Sequence, residues 1–143
     1  MEKKYSLGFI FTPSLDRVLL VHKLRPEWQE GKVNGIGGKR EEGEDSADCM
    51  VRETTEESGL ITQKEDWVLL GEIQQPAGNV DVYALMYKGD LKDAKSAGDE
   101  KIEWFGVSQL PENIMSNLIW LVPFAIDKLK DKVGLNTFSV EYL

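Results

Sequence analysis

The sequence predicts an α+β fold, in which a mixed β-sheet is sandwiched between helices in an α/β/α arrangement. Strand-like and helix-like segments follow one another without regular alternation, which is typical of a mixed sheet. The length of 143 residues, with 41% hydrophobic and 29% charged residues, fits a single globular domain over residues 1–143. No internal repeat or linker-like tract divides the chain.

The first strands are predicted from a hairpin pattern. Residues 5–12 and 17–21 are rich in aliphatic and aromatic side chains and flank a polar turn, so they indicate two paired strands. Residues 25–32 are polar and are predicted to form an exposed loop. Residues 34–38 contain three glycines. That segment is not a stable helix interior, since Gly costs about 1 kcal/mol there relative to Ala.

A helix over residues 46–58 is predicted by its apolar spacing and by signals at both ends. The apolar stripe is formed by Ala47, Met50, Val51 and Thr54, at positions i, i+3, i+4 and i+7. Asp45 or Ser46 can cap the first turn, and Gly59 suits the left-handed position after the last turn.

The remaining segments complete the sheet and add a second helix. Strands are predicted at 67–74, 80–87 and 102–107, a loop at 92–99, and an edge strand in the tail, 137–143. The two longer strands are joined through a turn at 76–79. Residues 117–130 form an apolar helical segment that Pro123 interrupts.

Charge and cysteine content exclude several classes of function. Seventeen basic and 25 acidic residues give a net charge of −8, which disfavours a polymeric nucleic acid as partner, since basic side chains must neutralise phosphates. The single cysteine, Cys49, permits neither an internal disulfide nor a Cys-based zinc site. The chain opens without a signal segment, and its most apolar stretch, 118–126, is too short to span a membrane. We therefore expect a cytoplasmic monomer or homodimer with no membrane partner.

The predicted first helix carries three glutamates on a face beside its apolar stripe. Glu53, Glu56 and Glu57 lie within a sector of about 100° on the helical wheel. The like-charged i, i+4 pair and its place near the helix C-terminus both oppose helix stability. Clustered carboxylates are ligands for Mg²⁺ or Mn²⁺, so the pattern indicates a divalent metal site, and a solvated acidic face is the alternative.

The helix is part of a longer pattern of fixed spacing. From Gly38 the chain reads five residues, Glu44, seven residues, Arg52-Glu53, two residues, Glu56-Glu57, one residue, Gly59-Leu60. This pattern resembles the Nudix box, and all seven fixed residues of the box are present. Thr54 stands where the box has an aliphatic residue, on the packed stripe, which indicates a tolerated change in the core.

The resemblance implies the Nudix fold and a metal-dependent pyrophosphohydrolase acting on a small nucleotide. Glu56 and Glu57 would be the main ligands of Mg²⁺ or Mn²⁺, joined by the backbone carbonyl of Gly37 or Gly38. Glu53 would be a further ligand or the general base.

Three further charged residues take supporting roles in this interpretation. Arg52 would orient a glutamate, and a surface salt bridge within the helix is its alternative. Glu44 would support the metal site or only the entrance of the helix. Family members also use an acid from a later loop, and among Asp99, Glu100 and Glu103 we choose Glu100 as that metal ligand.

The segment before the box indicates the substrate class. Residues 34–39 resemble the matching segment of oxidised-purine nucleoside triphosphatases, in which an aromatic residue precedes the asparagine and here Val33 replaces it. The resemblance implies substrate contacts from Asn34, Lys39 and Asn117. The amide of Asn34 suits a purine edge, and a turn role is its alternative.

The expected reaction is hydrolysis of a purine (d)NTP, normal or oxidised such as 8-oxo-dGTP, to the monophosphate and pyrophosphate. Within the same family, ADP-ribose, a dinucleoside polyphosphate or a capped RNA is the alternative substrate. A non-catalytic Nudix-fold module that binds a nucleotide is the alternative of another class. The presence of Glu53, Glu56 and Glu57 together favours the enzyme.

Overall fold

The computed structural model of the chain describes residues 3–131, 134 and 136–143, and over these it has one eight-stranded mixed β-sheet and two α-helices. The strands are β1 (Lys4–Phe11), β2 (Arg17–His22), β3 (Val33–Asn34), β4 (Ile36–Lys39), β5 (Val68–Gln75), β6 (Gly78–Met86), β7 (Ile102–Gly106) and β8 (Phe138–Glu141). The helices are α1 (Ser46–Ser58) and α2 (Leu118–Lys130). The predicted α+β class is confirmed. Met1 and Glu2, the start of the segment expected to lack a signal sequence, lie outside the described residues.

The sheet is organised around β1 and β6, which run parallel and pair along the whole of β1. The other edge of β1 is shared, because its first half pairs with β4 and its last two residues pair with β2. The sheet order is therefore β3-β2-β1-β6-β5-β8, with β4 beside β1 and β7 beside β2. The predicted edge strand in the tail is confirmed as β8, which lies parallel to β5.

Alternating side chains give the sheet two apolar faces, each covered by one helix. The face toward α2 includes Phe9, Phe11, Val18, Leu20, Val82 and Ala84, packed with Leu121 and Ala125 of the helix. The opposite face includes Ile10, Leu19, Tyr83, Leu85 and Trp67, packed with Met50 of α1. The helices thus lie on opposite sides of the sheet, as the α/β/α prediction requires.

Helix α1 has the predicted bounds, and both of its ends have defined caps. The Asp45 side chain accepts a hydrogen bond from Asp48 N at 2.8 Å, and the Asp48 side chain accepts one from Asp45 N at 3.1 Å. Gly59 has a φ of +75°, and its N–H donates to Thr55 O at 2.9 Å. Thr54 is fully buried, so its place on the packed stripe is confirmed.

The glycine-rich segment, expected only to be non-helical, forms β3 and β4 because the chain approaches β1 closely there. A Cβ at Gly37 would collide with the Ser6 carbonyl, so only glycine allows this pairing distance. The turn between β5 and β6 is tighter than predicted, since Gln75 pairs with Gly78. No helix within the described residues is long and apolar enough to cross a membrane.

Replacing Asp45 by Ala is expected to lower the free energy of unfolding by about 1 kcal/mol, because α1 loses the acceptor at its first turn. Lys64 Nζ lies 2.5 Å from Asp45 Oδ2, and such exposed ion pairs contribute little. Asp45→Asn is the matched control, because it keeps the capping acceptor and removes the charge. Urea unfolding measures both variants, and equal losses would assign the effect to the ion pair.

Candidate active site

A cleft of about 640 Å³ is lined by the C-terminal half of α1, by residues of β1, β3, β4, β5 and β6, and by the loops after β2 and before β7. The acidic residues of its lining are Glu53, Glu56, Glu57, Asp99 and Glu100. Its aromatic and amide residues are Tyr5, Trp28, Gln29, Asn34 and Gln75, and its aliphatic residues include Leu7, Ile73 and Val80. Carboxylates, aromatic rings and amides therefore share one cavity.

Helix α1 projects its glutamates toward β4. The Glu53 carboxylate lies so close to Gly38 that a Cβ on Gly38 would collide with it. The absence of a side chain at Gly38 therefore makes room for Glu53 beside the Gly37-Gly38 backbone. Glu56 is more exposed, with 56% of its side chain accessible, whereas the figure for Glu53 is 15%.

Arg52 connects the carboxylates of the site through its guanidinium. Its Nε and Nη2 donate to the two oxygens of Glu44 at 2.7 and 3.0 Å. Its Nη1 donates to Glu53 Oε1 at 2.9 Å and to Glu56 Oε2 at 3.1 Å. Hydrogen bonding to Arg52 lowers the pKa of Glu44. The forked contact with Glu44 makes Arg52 more than a surface salt bridge within the helix.

Glu57 is the carboxylate that the protein neutralises least. Its Oε2 is buried and has no hydrogen-bond partner. Burial, with the nearby charge of Glu53, raises the pKa of Glu57 to about 8. Burial also raises the pKa of Glu53, although Arg52 opposes that shift. Lys23 offsets part of the effect on Glu57. A buried acceptor without a donor, close to the like charges of Glu53 and Glu100, is an environment that a bound cation would stabilise.

The donors present fit a hard divalent cation. Carboxylate and carbonyl oxygens are the ligands that Mg²⁺ and Mn²⁺ prefer, and Glu57 Oε2 is an unused one. Among the described residues, no three His, Cys, Asp or Glu side chains are already gathered as a metal-binding group. Arg52 contacts one oxygen each of Glu53 and Glu56, and the other oxygen of each carboxylate makes no contact with Arg52.

Glu100 lies in the cleft lining close enough to Glu57 for its charge to raise the pKa of Glu57. Both of its oxygens already have partners. Oε1 accepts from Lys23 Nζ at 3.1 Å, and Oε2 accepts from the N–H groups of Leu24 and Arg25 at 2.7 and 3.4 Å. Glu100 therefore lies in the same cleft as the glutamates of α1, as predicted, and both of its carboxylate oxygens are hydrogen-bonded to the loop after β2.

The structure brings two of the three predicted substrate contacts to the cleft. Asn34 and Lys39 line it. Asn34 Oδ1 accepts a hydrogen bond from Gly35 N at 2.8 Å, and Asn34 Nδ2 donates to Gln29 Oε1 at 3.1 Å. The side chain therefore makes the local backbone contact expected of a turn residue and also lines the cleft. Asn117 is not among the described residues lining the cleft, and its Oδ1 is buried without a partner at the start of α2.

Sequence reasoning missed a tryptophan in the cleft lining. Trp28, in the loop predicted at 25–32, is 55% exposed and lines the cleft beside Gln29. Val33, where related segments have an aromatic residue, is fully buried. A tryptophan within an otherwise polar loop was the available signal, because a large exposed aromatic ring in such a setting indicates a contact surface.

Comparison with known proteins finds one family model and solved structures of the same kind. The NUDIX domain model matches residues 3–121. A NUDIX hydrolase from Nitrosomonas europaea has a TM-score of 0.74 and 18% identity, covering 99% of this chain and 78% of that one. A MutT structure, described for Aliivibrio salmonicida and Vibrio cholerae, has a TM-score of 0.65 and 18% identity, with coverages of 87% and 96%.

A longer protein of the same kind also matches. The MutT/nudix family protein from Enterococcus faecalis has a TM-score of 0.65 and 17% identity, covering 74% of this chain. This chain spans 44% of that protein, less than half of its length. At identities of this order the solved structures establish the shared fold.

Glu57→Gln is expected to stabilise the metal-free protein and to abolish the stabilisation that a divalent cation adds. Glu57 is ionised in the unfolded chain at pH 7, and because its pKa in the folded protein is about 8, folding must either protonate it or bury its charge. The amide avoids that cost, and it can donate to Glu53. In EDTA the melting temperature should rise by a few degrees, since ~1 kcal/mol corresponds to roughly 3 °C in a domain of this size. Thermal unfolding with and without Mg²⁺ or Mn²⁺ measures both effects.

The matched control for this experiment is Glu42→Gln, which changes an exposed carboxylate outside the cleft lining. It should leave both melting temperatures unchanged. A cation-induced shift of wild-type size in Glu57→Gln would show that Glu57 does not bind the metal.

Proposed function

The chain belongs to the Nudix family of pyrophosphohydrolases, and from this premise we propose that its substrate is a purine nucleoside triphosphate. The proposed products are the monophosphate and pyrophosphate, with deoxy and oxidised forms such as 8-oxo-dGTP among the candidate substrates. One observation carries the proposal: the glutamates of α1 share a cleft with an exposed tryptophan and with side-chain amides, among them the hydrogen-bonded pair Gln29 and Asn34.

The acidic part of the cleft fits the polyphosphate with its metal. Nudix hydrolases use divalent metal ions, and we propose Mg²⁺ or Mn²⁺ held mainly by Glu56 and Glu57 with the carbonyl of Gly37 or Gly38, and Glu53 as the general base. A cation bound there would offset the charge of the polyphosphate and would lower the pKa of the attacking water. Lys39, in the cleft lining, supplies positive charge for the phosphate groups.

In the proposed reaction, Glu53 accepts a proton from the attacking water, and Arg52 and Glu44 position Glu53. Glu53, held by Arg52 at 2.9 Å, takes a proton from the water as the water oxygen bonds to phosphorus. The anhydride bond between the monophosphate and the pyrophosphate then breaks, and the pyrophosphate leaves with the bridging oxygen. Arg52 is the positioning residue for Glu53. Glu44 acts through Arg52, which it fixes with two hydrogen bonds.

The remaining part of the cleft fits a nucleobase. The exposed ring of Trp28 provides an aromatic face that can stack on the base. Val33 cannot take that role, because it is fully buried and has no aromatic ring. Asn34 and Gln29 are joined by one hydrogen bond of 3.1 Å, and each amide keeps further donor and acceptor capacity for a purine edge. Asn117 stays a proposed contact on the basis of its unpartnered Oδ1 alone.

The decisive experiment is a pyrophosphate-release screen with Mg²⁺ and then Mn²⁺. It covers normal and oxidised (d)NTPs, with ADP-ribose and a dinucleoside polyphosphate read out as released monophosphate. Metal-dependent release from a purine triphosphate is the expected result. Preference for ADP-ribose or the dinucleotide would redirect the assignment within the family, and silence from folded, metal-bound protein would favour a binding module.

Glu53→Gln is expected to lower kcat by about 10²- to 10⁴-fold, because the amide cannot accept the water proton. Circular dichroism should show an unchanged fold. Glu42→Gln is again the control, since its carboxylate is exposed outside the cleft lining, and it should keep wild-type kcat. Wild-type turnover in both Glu53→Gln and Glu57→Gln would exclude the proposed chemistry.

A further inference from the structure

We propose that Gln75 binds an edge of the substrate's base through its side-chain amide, and that this contact selects among purine bases. The proposal rests on the function proposed above. Among the described residues, three side-chain amides line the cleft, those of Gln29, Asn34 and Gln75. An amide has two N–H donors and an oxygen that accepts two hydrogen bonds, so it can match the mixed donors and acceptors of a purine edge.

The three amides differ in how much of their hydrogen-bonding capacity the protein already uses. Asn34 Oδ1 accepts from Gly35 N, and Asn34 Nδ2 donates to Gln29 Oε1. Within the part of the chain that the structure describes, no group hydrogen-bonds to the Gln75 amide. Gln75 therefore keeps all of its donors and acceptors for a ligand, whereas Gln29 and Asn34 use part of theirs within the protein.

The cleft wall around Gln75 is apolar. Ile73 and Gln75 alternate onto one face of β5, and Val80, which pairs with Ile73, lines the cleft from β6. Leu7 lines it from β1. Ligand sites of this kind hold a flat apolar group against aliphatic side chains and orient it with a small number of polar groups. The Gln75 amide lies where it can orient a base that rests on this apolar surface.

The backbone at Gln75 is held in place by the tight turn between β5 and β6. Gln75 pairs with Gly78 across that turn, and Asn79 N donates to Lys3 O at 3.0 Å, which fastens the turn to the start of β1. A Cβ on Gly78 would lie 2.9 Å from Cε2 of Tyr5, so the Tyr5 ring packs beside the Gly78 backbone. Contacts from strands are held more precisely than contacts from loops. The Gln75 side chain therefore extends from a fixed point on the cleft wall.

The preceding residue, Gln74, provides a comparison of the same residue type. Its side chain belongs to the other face of β5. Gln74 Nε2 donates to Glu72 Oε1 at 2.7 Å, and Gln74 is not among the described residues that line the cleft. Of two neighbouring glutamines, one is hydrogen-bonded within the protein and the other lies free in the cleft. Gln74 is therefore the matched control position for Gln75.

The test measures the affinity of the wild-type protein and of Gln75→Met for purine nucleoside monophosphates by isothermal titration calorimetry. A monophosphate carries the base and is a product of the proposed reaction. Methionine has nearly the length of glutamine but lacks its N–H donors and its carbonyl oxygen. The series starts from GMP and AMP and removes one edge group at a time, namely the 2-amino group, the 6-substituent, or the nitrogen at N1, N3 or N7.

At least one edge group is expected to couple to Gln75. In the wild-type protein its removal should raise Kd about five- to tenfold, and Gln75→Met should raise the Kd of the complete monophosphate by a similar factor. In Gln75→Met the same removal should change Kd by less than about twofold, because the contact is already lost. Gln74→Met should bind the whole series like the wild-type protein. Removal costs that are equal in wild type and Gln75→Met for every edge group would overturn the contact.

Two further measurements separate a lost contact from a damaged cleft. The melting temperature of Gln75→Met should stay within about 1 °C of the wild-type value, because the amide has no partner in the described structure to lose. Binding of Mn²⁺, followed by electron paramagnetic resonance, should be unchanged, because Gln75 bears no charge. A Kd that rises by one common factor for every monophosphate, with or without the edge group, would assign the effect to cleft shape and overturn the contact.

The outcomes separate this proposal from the proposed function, because binding of the product requires no hydrolysis. If the wild-type protein binds a purine monophosphate but releases pyrophosphate from no triphosphate, the proposed function fails and the analogue series still decides the role of Gln75. If it hydrolyses a purine triphosphate and no edge group couples to Gln75, the Gln75 proposal fails alone. A wild-type protein that binds none of the monophosphates would also overturn the Gln75 contact.

Discussion

The guanidinium of Arg52 is the interaction on which the rest of the site depends. Carboxylates this close to one another repel, and Arg52 offsets the repulsion by contacting Glu44, Glu53 and Glu56 at once. Its Nη2 also donates to Lys39 O at 3.1 Å, so the same planar group fixes α1 against the end of β4. A lysine ammonium lacks this forked geometry and cannot hold so many acceptors in one plane.

The two faces of helix α1 have opposite effects on its stability. Its packed face, with Met50 and Thr54 fully buried, fastens the helix to the sheet. Its other face carries like charges near the C-terminus, where the helix dipole disfavours them. The cap at Asp45 and the N–H groups of Lys95 and Ala97 supply part of the stability that this face lacks. The helix therefore carries acidic residues where they lower its stability, at the position where the proposed metal site requires carboxylates.

Much of the fold could be predicted from sequence because its signals are local. The bounds of α1 follow from a capping residue, an apolar stripe and Gly59, all within fifteen residues. The strand pattern likewise placed β1, β2, β5, β6 and β7, and the tail strand β8. The pairing of β4 with β1 could not be predicted, because the need for glycine at position 37 comes from the Ser6 carbonyl on the neighbouring strand. The carboxylate cluster was predictable because its spacing lies on a single helix.

The residues on the substrate side of the cleft, unlike the carboxylate cluster, could not be predicted from local spacing, and the reason is physical. Nucleoside polyphosphates share phosphate groups with the same charged oxygens, so glutamates at fixed helical spacing serve any of them and leave a pattern in the sequence. A base is distinguished by its shape and edge, and the proposed contacts to it, Trp28, Gln29 and Asn34, come from the loop after β2 and from β3. Such a contact has no local spacing. The same sequence therefore indicates the chemistry directly and the substrate only through its tertiary structure.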